Sequence, residues 1–116
     1  LCERGIRGYG RETRFTLDLA IVPVVKRLSH LPVVVDPSHS TGDPELVVPM
    51  TLAAAAAGAD GVIVDVHADP AAALCDGGQA LLPADFKALM GDLERVLGAC
   101  GRELERPGGG AVASSA

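Results

Sequence analysis

Two short apolar segments, at residues 33–35 and 61–66, constrain the fold of this chain most strongly. Valine and isoleucine dominate both segments, which is typical of strands buried on both faces of a parallel sheet. The first segment is followed at once by Asp-Pro-Ser-His at residues 36–39, and the second contains Asp65 and is followed by His67. In α/β folds the carboxyl ends of parallel strands carry the chemistry. We therefore predict that these two strand ends lie side by side and form one functional site.

Helical segments separate the predicted strands. Residues 17–28 carry apolar side chains on one broad face, and Pro23 places the start of the regular helix near Ala20 because proline fits only the first turn. Residues 43–58 form a second, alanine-rich helix. A third helix begins at Pro83 and has apolar residues at helical spacing. The predicted loops are residues 6–14, 40–42 and 67–82.

The second helix has clear start and stop signals. Asp43 is placed to cap its amino end, Pro44 suits the first helical position, and Glu45 faces the positive end of the helix dipole. Gly58 is placed to end the helix, and Pro49 is expected to bend it. These signals predict a crossover helix between the two strands.

The alternation of strands and helices predicts an α/β fold with a parallel sheet and right-handed crossovers. Periodicity alone does not separate part of a (β/α)₈ barrel from part of a doubly wound sheet, and no glycine-rich nucleotide-binding motif follows either strand. The chain begins at Leu1 without a methionine, which we interpret as the end of a strand that is mostly missing. Residues 106–116 offer little to a core, and we predict a disordered tail there.

Composition narrows the functional classes. The 116 residues, of which 48% are hydrophobic, suit one ordinary domain, and the net charge of −5 argues against a nucleic-acid partner. Basic residues concentrate in residues 1–40, a distribution that suits an anionic small molecule. No apolar run reaches the ~18 residues that cross a bilayer, so we expect a cytoplasmic protein without a membrane partner. Cys2, Cys75 and Cys100 indicate neither a disulfide framework nor a thiolate zinc site, and we expect buried or inert thiols.

Three candidate metal ligands and one candidate anion-binding residue follow the strands. His39 is a metal ligand, a general acid or base, or a histidine bonded within its own loop. Asp65, within a strand, requires a cation or hydrogen-bond donors to offset its desolvation. Together, His39, Asp65 and Asp76 supply one nitrogen and two oxygen donors, which suits a borderline divalent ion such as Mn²⁺, Fe²⁺, Co²⁺ or Zn²⁺. Arg4 is a candidate clamp for phosphate or carboxylate, and Arg14 stays undecided.

Six blocks of the sequence carry a family resemblance. They are LCERGIR at 1–7, TLDL at 16–19, DPSH at 36–39, the helix at 46–58, DVH at 65–67 and CDGGQAL at 75–81. In this order they resemble the C-terminal part of 3-deoxy-D-arabino-heptulosonate 7-phosphate (DAHP) synthase of the short bacterial and archaeal type. The resemblance implies that residues 1–105 are the last three βα units of a (β/α)₈ TIM-barrel catalytic domain. It also implies a metal-dependent condensation of phosphoenolpyruvate with erythrose 4-phosphate, the first step of the shikimate pathway, by an enzyme that is a homo-oligomer when full length.

The resemblance also implies roles for individual residues. His39 matches the histidine that binds the metal in this family, Asp76 matches the aspartate ligand, and Arg4 matches a contact to the phosphate of phosphoenolpyruvate. Asp65 stands where the family has a glutamate ligand, so its shorter side chain requires a small shift or a bridging water for metal contact. The cysteine ligand of the family belongs to a strand outside this chain. His67 is expected to orient a ligand or to face solvent.

Two alternatives stay open. The sister enzyme 3-deoxy-manno-octulosonate 8-phosphate synthase performs the same chemistry on arabinose 5-phosphate, although residues 3–5 and 36–39 look more like DAHP synthase. The other alternative is an inactive barrel remnant that acts at most as an interaction module. We expect the 116-residue chain alone to be inactive, and its open strand edges favour self-association.

Overall fold

Three short parallel strands lie at the centre of the fold. They are β1 (Cys2–Glu3), β2 (Val34–Val35) and β3 (Gly61–Val62). The strand order is β1-β2-β3, and both pairings are parallel, with Val34 of β2 opposite Cys2 on one side and Gly61 on the other. The predicted parallel sheet is therefore confirmed, with β2 in the middle and β1 and β3 at the edges.

The structure is a computed structural model that describes residues 1–105, and the predicted tail at 106–116 lies outside the described residues. Helices connect the strands and cover the sheet. They are α1 (Ile21–Leu28), α2 (Pro37–Thr41), α3 (Pro44–Ala56) and α4 (Pro83–Ala99), with single 3₁₀ turns at Pro70–Ala72 and Gly77–Gln79. The start of α1 lies one residue after the predicted Ala20, and α4 begins at the predicted Pro83.

The short helix α2 replaces a predicted loop. The carboxylate of Asp36 caps its amino end by accepting a hydrogen bond from the backbone N–H of His39 at 3.0 Å. Pro37 occupies the first turn, and Gly42, with a φ of 69°, follows the last turn in the left-handed conformation. These are the usual boundary residues of a helix. The predicted loop at 40–42 is therefore wrong for its first two residues, and His39 lies in a helix.

The strand predicted at 61–66 is also shorter than expected. Because β2 ends at Val35 and α2 begins at Pro37, the last residues of the segment at 61–66 do not lie beside β2 and cannot pair with it. The backbone N–H of Asp65 donates instead to the hydroxyl of Ser38 at 3.0 Å, and Val66 forms an isolated parallel bridge with Leu81. Asp65 therefore lies beyond the end of β3 and not within the strand, as a correction to the sequence prediction.

Apolar side chains of α3 pack against both the sheet and α4. The cluster on the sheet consists of Val22, Val33, Val35, Ala54 and Ala59. The two clusters between α3 and α4 consist of Val47, Leu81 and Leu89, and of Ala55, Leu93 and Leu97. Fully burying a valine or leucine side chain contributes ~1.5–3 kcal/mol. These contacts hold the helices on the sheet and confirm the predicted apolar face of α4.

The predicted end of α3 is also confirmed. The helix continues through Pro49 and stops before Gly58, whose φ of 97° favours glycine. The guanidinium of Arg102 donates to the carbonyl oxygens of Ala55 at 3.0 Å and Ala59 at 2.6 Å. A cation at this position stabilises the negative end of the helix dipole.

The three cysteines are free, and each is exposed. Of the two options predicted for these thiols, buried or inert, the structure excludes burial. Partial burial of the thiol, and then the nearby carboxylate of Asp36, raise the pKa of Cys2. Within residues 1–105, no helix is both long and apolar enough to cross a membrane.

Candidate active site

The predicted site residues meet at the carboxyl edge of the sheet. Arg4 follows β1, His39 lies in the helix after β2, and Asp65 follows β3. Asp76 comes from the loop between β3 and α4. Polar contacts link all four residues into one cluster. The prediction that consecutive strand ends form a single site agrees with this arrangement.

A buried carboxylate organises the β2 side of the cluster. Asp36 is fully buried, and its Oδ2 forms an ion pair with Nη1 of Arg4. The same carboxylate lies 3.0 Å from Nδ1 of His39 and accepts a second hydrogen bond from the backbone N–H of His39. A carboxylate at this distance favours the tautomer that carries the proton on Nδ1. The Nε2 atom of His39 therefore keeps its lone pair for a ligand.

Two further carboxylates face this free nitrogen. The Nε2 atom of His39 is 3.6 Å from Oδ2 of Asp65 and 3.7 Å from Oδ2 of Asp76. Both distances exceed those of a normal hydrogen bond, so the three donor atoms surround a small space. The exposed fraction of the side chain rises from 16% for His39 to 27% for Asp65 and 41% for Asp76. The cluster is thus buried on the β2 side and opens toward solvent on the β3 side.

The loop geometry leaves the Asp76 carboxylate available. Asp76 has a φ of 54° and precedes the second 3₁₀ turn, and its side chain forms no cap hydrogen bond. Aspartate is one of the few residues that tolerate this left-handed conformation. At the next residue, Gly77, an added Cβ would lie 2.0 Å from the carbonyl oxygen of Pro70. The backbone is packed too closely there for any side chain, which fixes the position of Asp76.

A buried glutamine holds Asp65. The side-chain amide of Gln79 donates to Oδ2 of Asp65 at 2.8 Å, and its carbonyl oxygen accepts from Nη1 of Arg14 at 3.4 Å. The sequence patterns do not decide the role of Arg14 and assign none to Gln79, Ser38 or Asp36. Of these, only the helix cap at Asp36 is predictable from the sequence, because the contacts of the others join residues that are distant in sequence.

Residues 6–16 form an arm that brings Arg14 to the site. The arm is closed by an antiparallel bridge between Ile6 and Thr16. Its backbone is attached to the end of α2, since the N–H groups of Arg14 and Phe15 donate to carbonyl oxygens of α2 at 3.0 and 2.7 Å. The guanidinium of Arg14 lies 5.4 Å from the centre of the Phe15 ring, a favourable cation–π distance.

The donor atoms are of the kinds that bind a divalent metal, although they lie too far apart to enclose an ion. The carboxylate that orients the imidazole of His39 is the usual partner of a metal-bound histidine. With Asp65 and Asp76, the cluster offers one nitrogen and two oxygen ligands, and its carboxylates outnumber its two arginines. Within residues 1–105, however, no group of three or more His, Cys, Asp or Glu side chains is close enough to hold an ion by itself. A metal would therefore require the donors to close up, or a further ligand.

His67 does not contribute to this arrangement. Its side chain is exposed, and its Nδ1 atom accepts a hydrogen bond from the backbone N–H of Asp69 at 3.0 Å. Of the two options left open by the sequence, the structure shows the solvent-facing one.

Residues 1–97 match the family model of the DAHP synthetase I family. The chain is 50% identical over 101 residues to the phospho-2-dehydro-3-deoxyheptonate aldolase of Thermotoga maritima, a match that covers 87% of this chain and 30% of that protein. It is 34% identical over 108 residues to the 2-dehydro-3-deoxyphosphooctonate aldolase of Geobacter sulfurreducens, a match that covers 83% of this chain and 38% of that protein.

Solved structures similar to this chain belong to the same enzyme as the Thermotoga maritima relative. A truncated form of 3-deoxy-D-arabino-heptulosonate 7-phosphate synthase from Thermotoga maritima superposes with a TM-score of 0.88 at 47% identity, covering 90% of this chain and 40% of that one. The chain spans only about a third of the length of the relatives that it matches. The family model nevertheless accounts for most of the chain, and half of the residues aligned with the Thermotoga enzyme are identical. The chain therefore belongs to the DAHP synthetase I family.

Proposed function

We propose that this chain supplies the last three βα units of a (β/α)₈ barrel that catalyses the metal-dependent condensation of phosphoenolpyruvate with erythrose 4-phosphate. The observation that carries the proposal is the convergence of Asp65 and Asp76 on Nε2 of His39, at the strand edge that also presents Arg4. Active sites of such barrels lie at this edge. Edge positions of β1 and β3 leave room for the further strands that a complete barrel requires.

His39, Asp65 and Asp76 would hold the metal in this proposal. One imidazole and two carboxylates suit Mn²⁺, Fe²⁺, Co²⁺ or Zn²⁺ and leave positions for a ligand from another strand and for substrate. When bound, such an ion supplies Lewis-acid polarisation of the aldehyde of erythrose 4-phosphate. Asp36 keeps the imidazole of His39 in the orientation and tautomer that this binding requires.

Arg4 would bind the phosphate of phosphoenolpyruvate. Its guanidinium has five N–H donors, of which Asp36 engages the Nη1 group, and 54% of its side chain is exposed. The remaining donors are therefore accessible to a phosphate beside the metal ligands. Holding the two substrates in attack geometry and neutralising their charge is a large part of catalysis in reactions of this type.

A chimera tests the proposal directly. Residues 1–97, which match the family model, replace the corresponding stretch of the Thermotoga maritima enzyme, and the loss of phosphoenolpyruvate is followed with each aldose. We expect turnover with erythrose 4-phosphate and no change for the exposed control His67→Ala. For His39→Ala we expect a loss of activity of at least ~10–100-fold, the effect of removing a residue that only orients a metal ligand. Wild-type activity in His39→Ala would refute the site assignment.

The choice of aldose separates the alternative reactions. The relative from Geobacter sulfurreducens is named for the octonate product, and its 34% identity is lower than the 50% identity to the heptonate enzyme. Turnover of arabinose 5-phosphate in place of erythrose 4-phosphate would favour the sister reaction. A folded chimera that turns over neither aldose would favour the inactive remnant.

A further inference from the structure

We propose that Gln79 is a positioning residue that holds Asp65 toward His39, and that Arg14 sets the direction of the Gln79 amide. The inference rests on the proposed metal site. It adds Gln79, which is not one of the proposed metal ligands, to that site. Through Arg14 it also connects the arm at 6–16 to the affinity for the metal.

The hydrogen bond from Gln79 fixes the relevant oxygen of Asp65. The Nε2 atom of Gln79 donates at 2.8 Å to Oδ2, and this same oxygen faces Nε2 of His39 at 3.6 Å. A carboxylate oxygen accepts more than one hydrogen bond or ligand. The amide therefore prevents rotation of the carboxylate and leaves the side that faces His39 free for a cation.

Both ends of the Gln79 side-chain amide are hydrogen-bonded. Only 4% of the residue is exposed, and a buried amide is costly unless its donors and acceptors are paired. Its side chain is paired with Asp65 and Arg14, and its backbone N–H donates to the carbonyl oxygen of Asp76 at 3.2 Å. Gln79 thus contacts the carboxylate of Asp65 and the backbone of Asp76.

Arg14 determines which end of the amide faces Asp65. The guanidinium of Arg14 offers only donors, so it pairs with the carbonyl oxygen of Gln79, at 3.4 Å. This leaves the NH₂ group toward the carboxylate. The reversed amide would place donors against donors and oxygen against oxygen. At 3.4 Å the contact with Arg14 is long, so we assign it the orientation of the amide and not a large binding energy.

A Co²⁺ titration of the 116-residue chain, followed by the visible absorption of the ion, tests the role of Gln79. Gln79→Met keeps the length of the side chain and removes its donor. We expect it to weaken Co²⁺ binding about tenfold, the lower end of the effect of removing a partner that orients a ligand, and to change the absorption spectrum. The reference variant Asp65→Asn shows whether the ligand itself matters, and circular dichroism shows that each variant is folded.

The outcomes separate the two proposals. Unchanged Co²⁺ affinity in Gln79→Met, with a loss in Asp65→Asn, would overturn the role of Gln79 and leave the proposed metal site standing. Unchanged affinity in both Asp65→Asn and His39→Ala would overturn the metal site and, with it, this inference.

Arg14→Met provides a second test that does not disturb a buried residue. Removing a positive charge near the site by itself strengthens the binding of a cation, whereas loss of the amide orientation weakens it. We therefore expect weaker Co²⁺ binding in Arg14→Met and not in the matched control Arg11→Met, an exposed arginine of the same arm. In the Gln79→Met background, Arg14→Met should cause no further loss, because Arg14 acts through Gln79. Equal or tighter binding in Arg14→Met than in Arg11→Met would overturn the proposal, even if Gln79→Met does not fold.

Discussion

The two sides of the site are held in different ways. On the β2 side, Asp36 is fully buried and binds Arg4 and His39, and His39 is fixed within the short helix α2. On the β3 side, Asp65 and Asp76 are 27% and 41% exposed and lie in irregular segments. On the first side, Asp36 and His39 are neighbours in one helix cap, and Arg4 joins them from the end of β1. On the second side, Asp65 is held by Gln79 from the following loop.

Charge explains this difference. The carboxylate of Asp36 loses its hydration but gains an arginine and an imidazole as partners, so its burial is tolerated. Asp65 and Asp76 both approach Nε2 of His39, at 3.6 and 3.7 Å, and like charges that share one site repel each other. Partial exposure to water reduces this repulsion. The open β3 side therefore agrees with the proposed metal site, in which a cation would offset this repulsion.

The largest expected effect comes from removing the carboxylate on the β2 side. Asp36→Ala deletes the helix cap of α2 and the partner of Arg4 and His39. We expect a loss of about 2–4 kcal/mol in the free energy of unfolding, from the lost cap and the charge-assisted hydrogen bonds. Urea unfolding of the 116-residue chain measures this change.

Asp69→Ala is the matched control for Asp36→Ala. Asp69 also precedes a helical turn, but it is exposed and its side chain forms no cap hydrogen bond. The control should change stability by less than about 0.5 kcal/mol. Equal effects of the two substitutions would show that the β2 side is no better organised than the exposed loop.

A methyl group at Gly77 is the next largest perturbation and acts on the β3 side. Gly77→Ala places a Cβ 2.0 Å from the carbonyl oxygen of Pro70, so the turn that carries Asp76 must move. We expect a cost of about 1–3 kcal/mol in stability, as for other overpacked sites, together with weaker Co²⁺ binding. At Gly78, an added Cβ has no neighbour within 4 Å. If Gly78→Ala proves as damaging as Gly77→Ala, the close packing of this turn does not position Asp76.

The same contrast explains what the sequence predicted. The end of β2 at Val35, the helix starts at Pro44 and Pro83, and the stop at Gly58 depend on local signals, and the structure confirms them. The cap of α2 at Asp36 is also a local signal, but the residues that follow it are predicted as a loop. The early end of β3 cannot be predicted from local sequence, because it depends on where the neighbouring strand β2 ends. The support that Gln79 gives to Asp65 joins residues 14 positions apart through a loop without periodicity.

The smallest expected effect concerns the amino ends of the strands, away from the site, where the carboxylate of Asp60 connects α1 to the start of β2. The Asp60 carboxylate accepts hydrogen bonds from Nζ of Lys26 at 2.5 Å and from the backbone N–H of Val33 at 2.8 Å. These contacts, with that of Lys26 the larger, hold the pKa of Asp60 below its ordinary value of 3.8. Because the folded state has the lower pKa, the stabilisation is complete above about pH 4 and is lost as the pH falls through the pKa of folded Asp60.

Lys26→Met should therefore lower the free energy of unfolding at pH 7 by about 0.2–1 kcal/mol, the range for a pair that is partly exposed. The difference from the unmodified chain should begin to shrink below about pH 4 and vanish once the pH is below the pKa of folded Asp60, because protonated Asp60 no longer forms the ion pair. Urea unfolding at a series of pH values measures it, with the exposed neighbour Arg27→Met as the control for loss of a positive charge on α1. A difference that persists unchanged at low pH would show that Lys26 stabilises the fold through its aliphatic stem and not through Asp60.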